Sequence, residues 1–366
     1  MSRTKQVKKA VKRLKKASPT AIILAIVIII LAVCGYYVYN KFFKKPDPVI
    51  EAKGEISFHF MMLGNDASGD CTYIKAGEND ILIDAGSDYD SIDHIMDYVD
   101  DYMTDDKFEF VIATHAHLDH IACFAGKKGE NSLFDEYEVD TIIDFPLTNA
   151  TSAVYNRYLE ERDAEVENGA VHYTALECYN NQNGAKRVYE LTDDGNVKME
   201  ILYNPYYEQK TSNENDYSVC VQFSHGSERL FLFTGDLEED GEELLVQNND
   251  LKEVSLFKAG HHGSYTASHD VLLSVIKPKI CVISGAANNK DMGDGYGFPN
   301  QLFINRIARY DTSVYMTTAA TASGYTAING NVVVSSDAEK GVTVDCSGEK
   351  SVLKDTAWFK ANRTWN

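Results

Sequence analysis

Beyond residue 55 the chain alternates short apolar runs with breaks rich in Gly, Asn and Asp. Runs with period-two character predict strands at 56–63, 71–75, 80–84, 108–113, 139–144, 198–203, 217–223, 229–234, 253–258, 279–284, 313–317, 325–328 and 331–335. Stretches with helical spacing predict helices at 90–103, 152–166, 238–248, 267–276 and 299–310. Many short strands with helices between and after them indicate an α+β sandwich, read as one domain over 55–345. Within it, the polar, Asn- and Glu-rich stretch of about 147–196 reads as an insertion beside the site. Residues 346–366, with Trp358 and Trp365, form a C-terminal tail expected to pack on the domain.

The N-terminal pattern is different. From Thr20 to Tyr39 no charge interrupts an apolar run long enough to cross a bilayer. Lys and Arg precede it, and Tyr36, Tyr37 and Tyr39 sit where an interfacial aromatic belt would. This predicts a basic cytoplasmic tail at 1–18, an uncleaved signal anchor at 19–39 and a linker at 40–54 broken by Pro46 and Pro48. The expected placement is a single-pass protein of the cell membrane with its C-terminal domain extracellular. A cleaved signal peptide fits the apolar length poorly. The lipoprotein-like run Leu31-Ala32-Val33-Cys34 has an unsuitable residue before its cysteine.

Charge sharpens this picture. The first 45 residues hold eleven Lys or Arg and no acid, leaving 24 basic against 55 acidic residues, a formal charge of about −31. So acidic a domain repels polyanions, and tight nucleic-acid binding is disfavoured. The seven cysteines are scattered singly without a C-x-x-C pair, as buried small hydrophobes rather than a disulfide framework.

Candidate chemistry concentrates at FVIATHAHLDH (110–120), where three His and one Asp follow an apolar run. Imidazole and carboxylate suit zinc, iron or manganese. On a loop leaving a strand, His115 and His117 can point the same way. Asp119 and His120 then turn back across the start of the next helix. Such a set can hold two ions a few ångströms apart. ILIDAG ends at Asp84-Ala85-Gly86, LFLFTGD at Asp236 and VSLFKAGHHGS at His261 and His262, each a metal-type residue just after an apolar strand.

Taken together, these motifs resemble the metallo-β-lactamase superfamily, particularly the branch containing the hydrolase domain of ComEC-type DNA-uptake proteins. They are also similar to cell-wall choline-phosphate esterases. The likeness runs through Ser68-Gly69-Asp70, Asp84-Ala85-Gly86, the histidine motif, Asn215 and Ser218, Thr234-Gly235-Asp236, His261-His262-Gly263-Ser264, Ser284-Gly285 and Gly295-Tyr296-Gly297-Phe298-Pro299. It continues to Thr317-Thr318 and Ala327-Ile328. The resemblance implies a four-layer αββα sandwich with two divalent ions, zinc or alternatively manganese, at one edge. It implies His115 and His117 on the first ion, Asp119 and His120 on the second, and Asp236 bridging. One of His261 or His262 completes the second site, the other meeting substrate. Asp84 is expected to orient a ligand imidazole. No histidine occurs in NENDYSVCVQF (213–223), where many relatives have one, so Asn215 or water is expected to fill in. Phe298 stands before Pro299 where the branch commonly has His, which moves a substrate-handling role toward Tyr296.

The implied activity is metal-assisted hydrolysis, with Asp119 and Asp236 holding the nucleophile and His262 or Tyr296 meeting the substrate oxyanion. A phosphodiester, in a small molecule or a cell-surface polymer, is the favoured substrate class. A carboxylic ester or lactone hydrolase of the same fold is the alternative, as is a metal-stabilised surface module without turnover.

Overall fold

The computed structural model describes residues 53–288 and 297–366. The basic tail, the signal anchor, most of the linker and Tyr296 lie outside the described residues. Among the described residues, no helix is long and apolar enough to cross a membrane.

Two mixed sheets of eight strands face each other. The first contains β1 (Glu55–Phe60), β2 (Asp70–Ala76), β3 (Asn79–Gly86), β4 (Lys107–Ile112), β5 (Glu138–Asp144) and β6 (Val171–Thr174). It is completed by β15 (Val332–Asp337) and β16 (Gly341–Cys346), in the order β16-β15-β1-β2-β3-β4-β5-β6. The second contains β7 (Val188–Glu190), β8 (Val197–Ile201), β9 (Val221–His225), β10 (Arg229–Phe233), β11 (Leu256–Lys258), β12 (Ile280–Ala287), β13 (Ser313–Thr321) and β14 (Gly324–Ala327), ordered β14 to β7.

The alternation of β1 shows how the layers arise. Ile56, Phe58 and Phe60 are buried in the core between the sheets, where Phe58 packs against Phe223, Phe231 and Phe233. His59 points the other way, its ring against Tyr98 and Tyr102 beneath the helix Ile92–Val99. In β10, Phe231 and Phe233 join the central core, whereas Leu232 joins a second core with Phe257, Leu272, Phe303 and Ile304. That second core sits under the helices Glu239–Asn248, Asp270–Ile276 and Gln301–Ile307. With helices on both outer faces, the architecture is the αββα sandwich.

Strand direction places the site. β3, β4, β5 and β6 run parallel, as do β10, β11, β12 and β13. Their carboxyl ends therefore gather at one edge of the sandwich, the place where open α/β sheets bind ligands. β2 is antiparallel to β3, with Asp70 opposite Gly86, so its first residue reaches the same edge.

Several elements went unread in the sequence. The stretch 147–196 holds the expected helix, at Ala153–Asn168, but also an unread one at Ala175–Asn180, and it extends both sheets: β6 pairs with β5 and β7 with β8. It is tied down at Asp144, whose carboxylate accepts bonds from Tyr158 Oη (3.0 Å), Arg162 Nη1 (2.9 Å) and His172 Nε2 (2.8 Å). The helix begun at Asp119 and His120 was expected without bounds; it runs Leu118–Ala125, with its last six residues buried. β16 ends at Cys346, and Leu353 and Phe359 are buried in the second core, so the fold continues past residue 345 through the C-terminal segment.

Candidate metal centre

The sheet edge brings Asp70, Asp84, His115, His117, Asp119, His120, Asp236, Lys258, His261 and His262 together. Near the end of β3, Asp84 adopts a left-handed backbone conformation (φ 57°). Its carboxylate accepts Thr114 N–H (2.7 Å) and Thr114 Oγ1–H (2.8 Å), and its Oδ2 lies 2.8 Å from His120 Nδ1. Asp84 thereby fixes the loop leaving β4 and turns His120 so that Nε2 faces Asp236 Oδ2 at 3.1 Å. His115 Nε2 and His117 Nδ1 converge to 3.0 Å. Leu118 opens the helix, with Asp119 in its first turn, where the helix dipole favours a carboxylate.

Asp236 follows β10. Its backbone N–H donates to Ser218 Oγ (3.1 Å), and a Cβ at Gly235 would meet that oxygen at 2.7 Å. Glycine is needed there both for this approach and for its φ of 54°. Beyond β11, His261 and His262 both adopt left-handed conformations (φ 47° and 51°), uncommon for non-glycine residues and of a kind that clusters at functional sites. The rings consequently diverge. His262 Nε2 lies 3.3 Å from Asp119 Oδ2 and 3.4 Å from Asp236 Oδ2. His261 Nε2 is 3.8 Å from Asp236 Oδ2, while its Nδ1 faces Thr266 Oγ1 (3.0 Å) and Glu238 Oε1 (3.3 Å). The Phe298 ring covers both imidazoles, its centroid 5.8 and 5.5 Å from theirs.

Asn215 donates its amide to Glu238 Oε1 (3.0 Å) and reaches the cluster through that carboxylate. The other histidines of the interval are engaged elsewhere: His172 at Asp144, and His225 with Ser336 Oγ and the carbonyl of Lys53. Asp70, Lys258 and Glu238 were not singled out from the sequence. Asp70 was quoted only within a motif, and a lysine or glutamate at a strand end reads as a solvated rim.

The cluster fits a cation. Asp70, His120, Asp236 and His262 are buried and offer ligand atoms all within 4.8 Å of one another. Neither Asp236 Oδ1 nor Asp70 Oδ1 makes a hydrogen bond; Lys258 Nζ faces the first at 3.8 Å and His262 Nδ1 the second at 3.4 Å, so the buried carboxylates are only loosely compensated by the chain itself. Separations of 3.0–3.4 Å between the facing nitrogens and oxygens suit ligands about 2.0–2.2 Å from a shared ion. The buried carboxylates draw positive charge to the site. Burial alone would lower His120 and His262, but Asp236 with Asp84, and Asp236 with Asp70, draw them well above the usual imidazole range. Burial and the neighbouring imidazoles hold His115 well below it, in the neutral form that ligates.

Asp216, beside Glu238, gives a prediction independent of the ion. Burial, together with the Glu238 carboxylate, pushes it up to about 6, although it accepts the Glu238 N–H. An acid raised on folding adds stability below its unfolded value near 4 and loses it as pH rises through 6. Asp216→Asn will not incur that loss, so its melting temperature relative to wild type will rise between pH 4 and pH 7. A difference that is flat across that range would refute the assignment.

Comparison with known proteins agrees with the centre's composition. Residues 64–126, from the loop after β1 to the end of the histidine-bearing helix, match the family described as Metallo-beta-lactamase superfamily. Recombination protein 2 of Haemophilus influenzae is 29% identical over 104 residues, 28% of this chain and 12% of that protein. ComE operon protein 3 of Bacillus subtilis is 29% identical over 106 residues, 29% of this chain and 13% of that protein. The matched part thus spans about an eighth of either relative's length. Among solved structures, the metallo-beta-lactamase fold protein YhfI from Bacillus subtilis is similar over 72% of this chain and 86% of its own, at 13% identity and a TM-score of 0.38. The segment that carries the histidine cluster thus matches the metallo-beta-lactamase superfamily, and the chain has a distant similarity to the ComEC-type proteins.

Proposed function

We propose that the chain is a metal-dependent phosphodiesterase held at the outer face of the cell membrane by residues 19–39. The observation that carries the metal-dependent part is the convergence of the buried Asp70, His120, Asp236 and His262, whose ligand atoms all lie within 4.8 Å of one another. His115 and His117 would hold one ion, and Asp119, His120, Asp236 and His262 a second. Bound there, zinc or manganese would supply Lewis acidity and a water acidic enough to attack near neutral pH.

The chain's own residues supply the rest. Asp84 holds His120 in one orientation through Nδ1. Phe298 packs its ring against both imidazoles of the pair. His261, with Nδ1 at Thr266 and Glu238, turns Nε2 toward the site, 3.8 Å from Asp236 Oδ2, where it can meet a substrate. Two cations side by side match the attacking and leaving oxygens of phosphoryl transfer, which favours a phosphodiester over an ester or lactone. The acidic balance of the domain favours a small or neutral-to-cationic substrate over a nucleic acid.

The test uses the full chain, purified in detergent without chelator. Metal per chain is measured by atomic spectrometry, and turnover on bis(p-nitrophenyl) phosphate is compared with p-nitrophenyl acetate and a simple lactone. About two ions per chain and preferential diester cleavage are expected. Ester or lactone preference would reassign the substrate class, metal without turnover would leave a binding module, and absence of metal would sink the central reading.

A further inference from the structure

Among the described residues Lys258 is the only buried Lys or Arg. It ends β11, and its ammonium meets the carboxylate of Asp70, which comes from β2 of the opposite sheet. It also lies 3.8 Å from Asp236 Oδ1. At 3% exposure it is too deep to touch a substrate. A buried ammonium without partners is strongly unfavourable, so its place in the core depends on these two carboxylates.

Each carboxylate is divided by the contact. Asp236 turns Oδ1 toward Lys258 and Oδ2 toward His120 and His262. Asp70 gives Oδ2 to Lys258 and places Oδ1 3.4 Å from His262 Nδ1, beside the Ser284 carbonyl that the same nitrogen faces at 3.2 Å. Although Asp70 belongs to the set of potential ligands, it stands on the Nδ1 side of His262, opposite the Nε2 that faces Asp119 and Asp236. The arrangement repeats Asp84 behind His120.

We propose that Lys258 and Asp70 are positioning residues of the metal centre, a cross-sheet ion pair that fixes the rotation of Asp236 and of His262 and so sets metal affinity. The inference rests on the metallohydrolase reading and goes beyond it. Partners that orient ligands typically change metal affinity 10–100-fold when removed.

The experiment is zinc titration of the full chain against a chromophoric chelator, for wild type, Lys258→Met and the double variant Asp70→Asn/Lys258→Met. The double variant removes both charges and leaves no stranded carboxylate if the single variant folds poorly. Far-UV circular dichroism and the unfolding midpoint in EDTA report the metal-free fold. Both variants are expected to bind zinc at least ~10-fold more weakly, with the double variant's metal-free midpoint near wild type. A pair that merely stabilised the fold would lower that midpoint and leave the zinc dissociation constant of the folded protein unchanged, which overturns the proposal. Wild type without zinc overturns the metal reading and this inference with it; wild-type zinc with unchanged variants overturns this inference alone.

Discussion

Asp236→Ala will lose metal and at least about a thousandfold in kcat/KM, the equivalent of roughly 4 kcal/mol of transition-state stabilisation. No other side chain of the cluster faces so many of its members: His120, His262, His261 and Lys258 all lie within 3.8 Å of its carboxylate. Its backbone is held by Ser218 and its turn requires Gly235, so alanine removes the carboxylate without disturbing the chain path. Two buried imidazoles and an ammonium would then face each other with only Asp70, Asp84 and Asp119 to balance them. Metal content by atomic spectrometry and diester turnover, with circular dichroism as a folding control, decide the matter. Full metal occupancy with activity within tenfold of wild type would remove Asp236 from the centre.

The largest expected loss of stability lies between the sheets. Phe58→Ala will destabilise the domain by about 3–5 kcal/mol, the range for a fully buried phenylalanine. Its ring is completely buried, 4.6 Å from Phe231, 5.5 Å from Phe223 and 5.7 Å from Phe233 between centroids. These partners belong to the facing sheet, whose short strands cannot close on the void without shifting their ladders. Chemical denaturation of metal-loaded protein should show a lower midpoint at unchanged slope. A loss under 1 kcal/mol would mean that the sheets collapse onto the space, contrary to the packing described.

Legibility varied with the range of the interactions. His115, His117, Asp119 and His120 were readable because they fall within six residues behind one apolar strand. Asp84, Asp236 and the His261-His262 pair were readable because each ends an apolar run, and parallel strands deliver such ends to one edge. By contrast, β6 and β7 are short and polar, strands only because β5 and β8 offer them ladders. The helix Leu118–Ala125 was legible only at its start, because it is short and its last six residues are all buried.

Taken alone, the sequence determined the layered architecture, through alternation in strands such as β1, and the inventory of imidazoles and carboxylates. Only the tertiary structure decided their geometry. Left-handed backbone at two consecutive residues swings His262 toward Asp119 and Asp236 and His261 toward Thr266 and Glu238, a divergence that adjacency in sequence cannot encode. Asp70 and Lys258 are 188 positions apart and meet only because facing sheets bring β2 and β11 to one edge. A lone charge at a strand end reads as solvated until its burial and its partner are known, and both are set by packing across the sandwich.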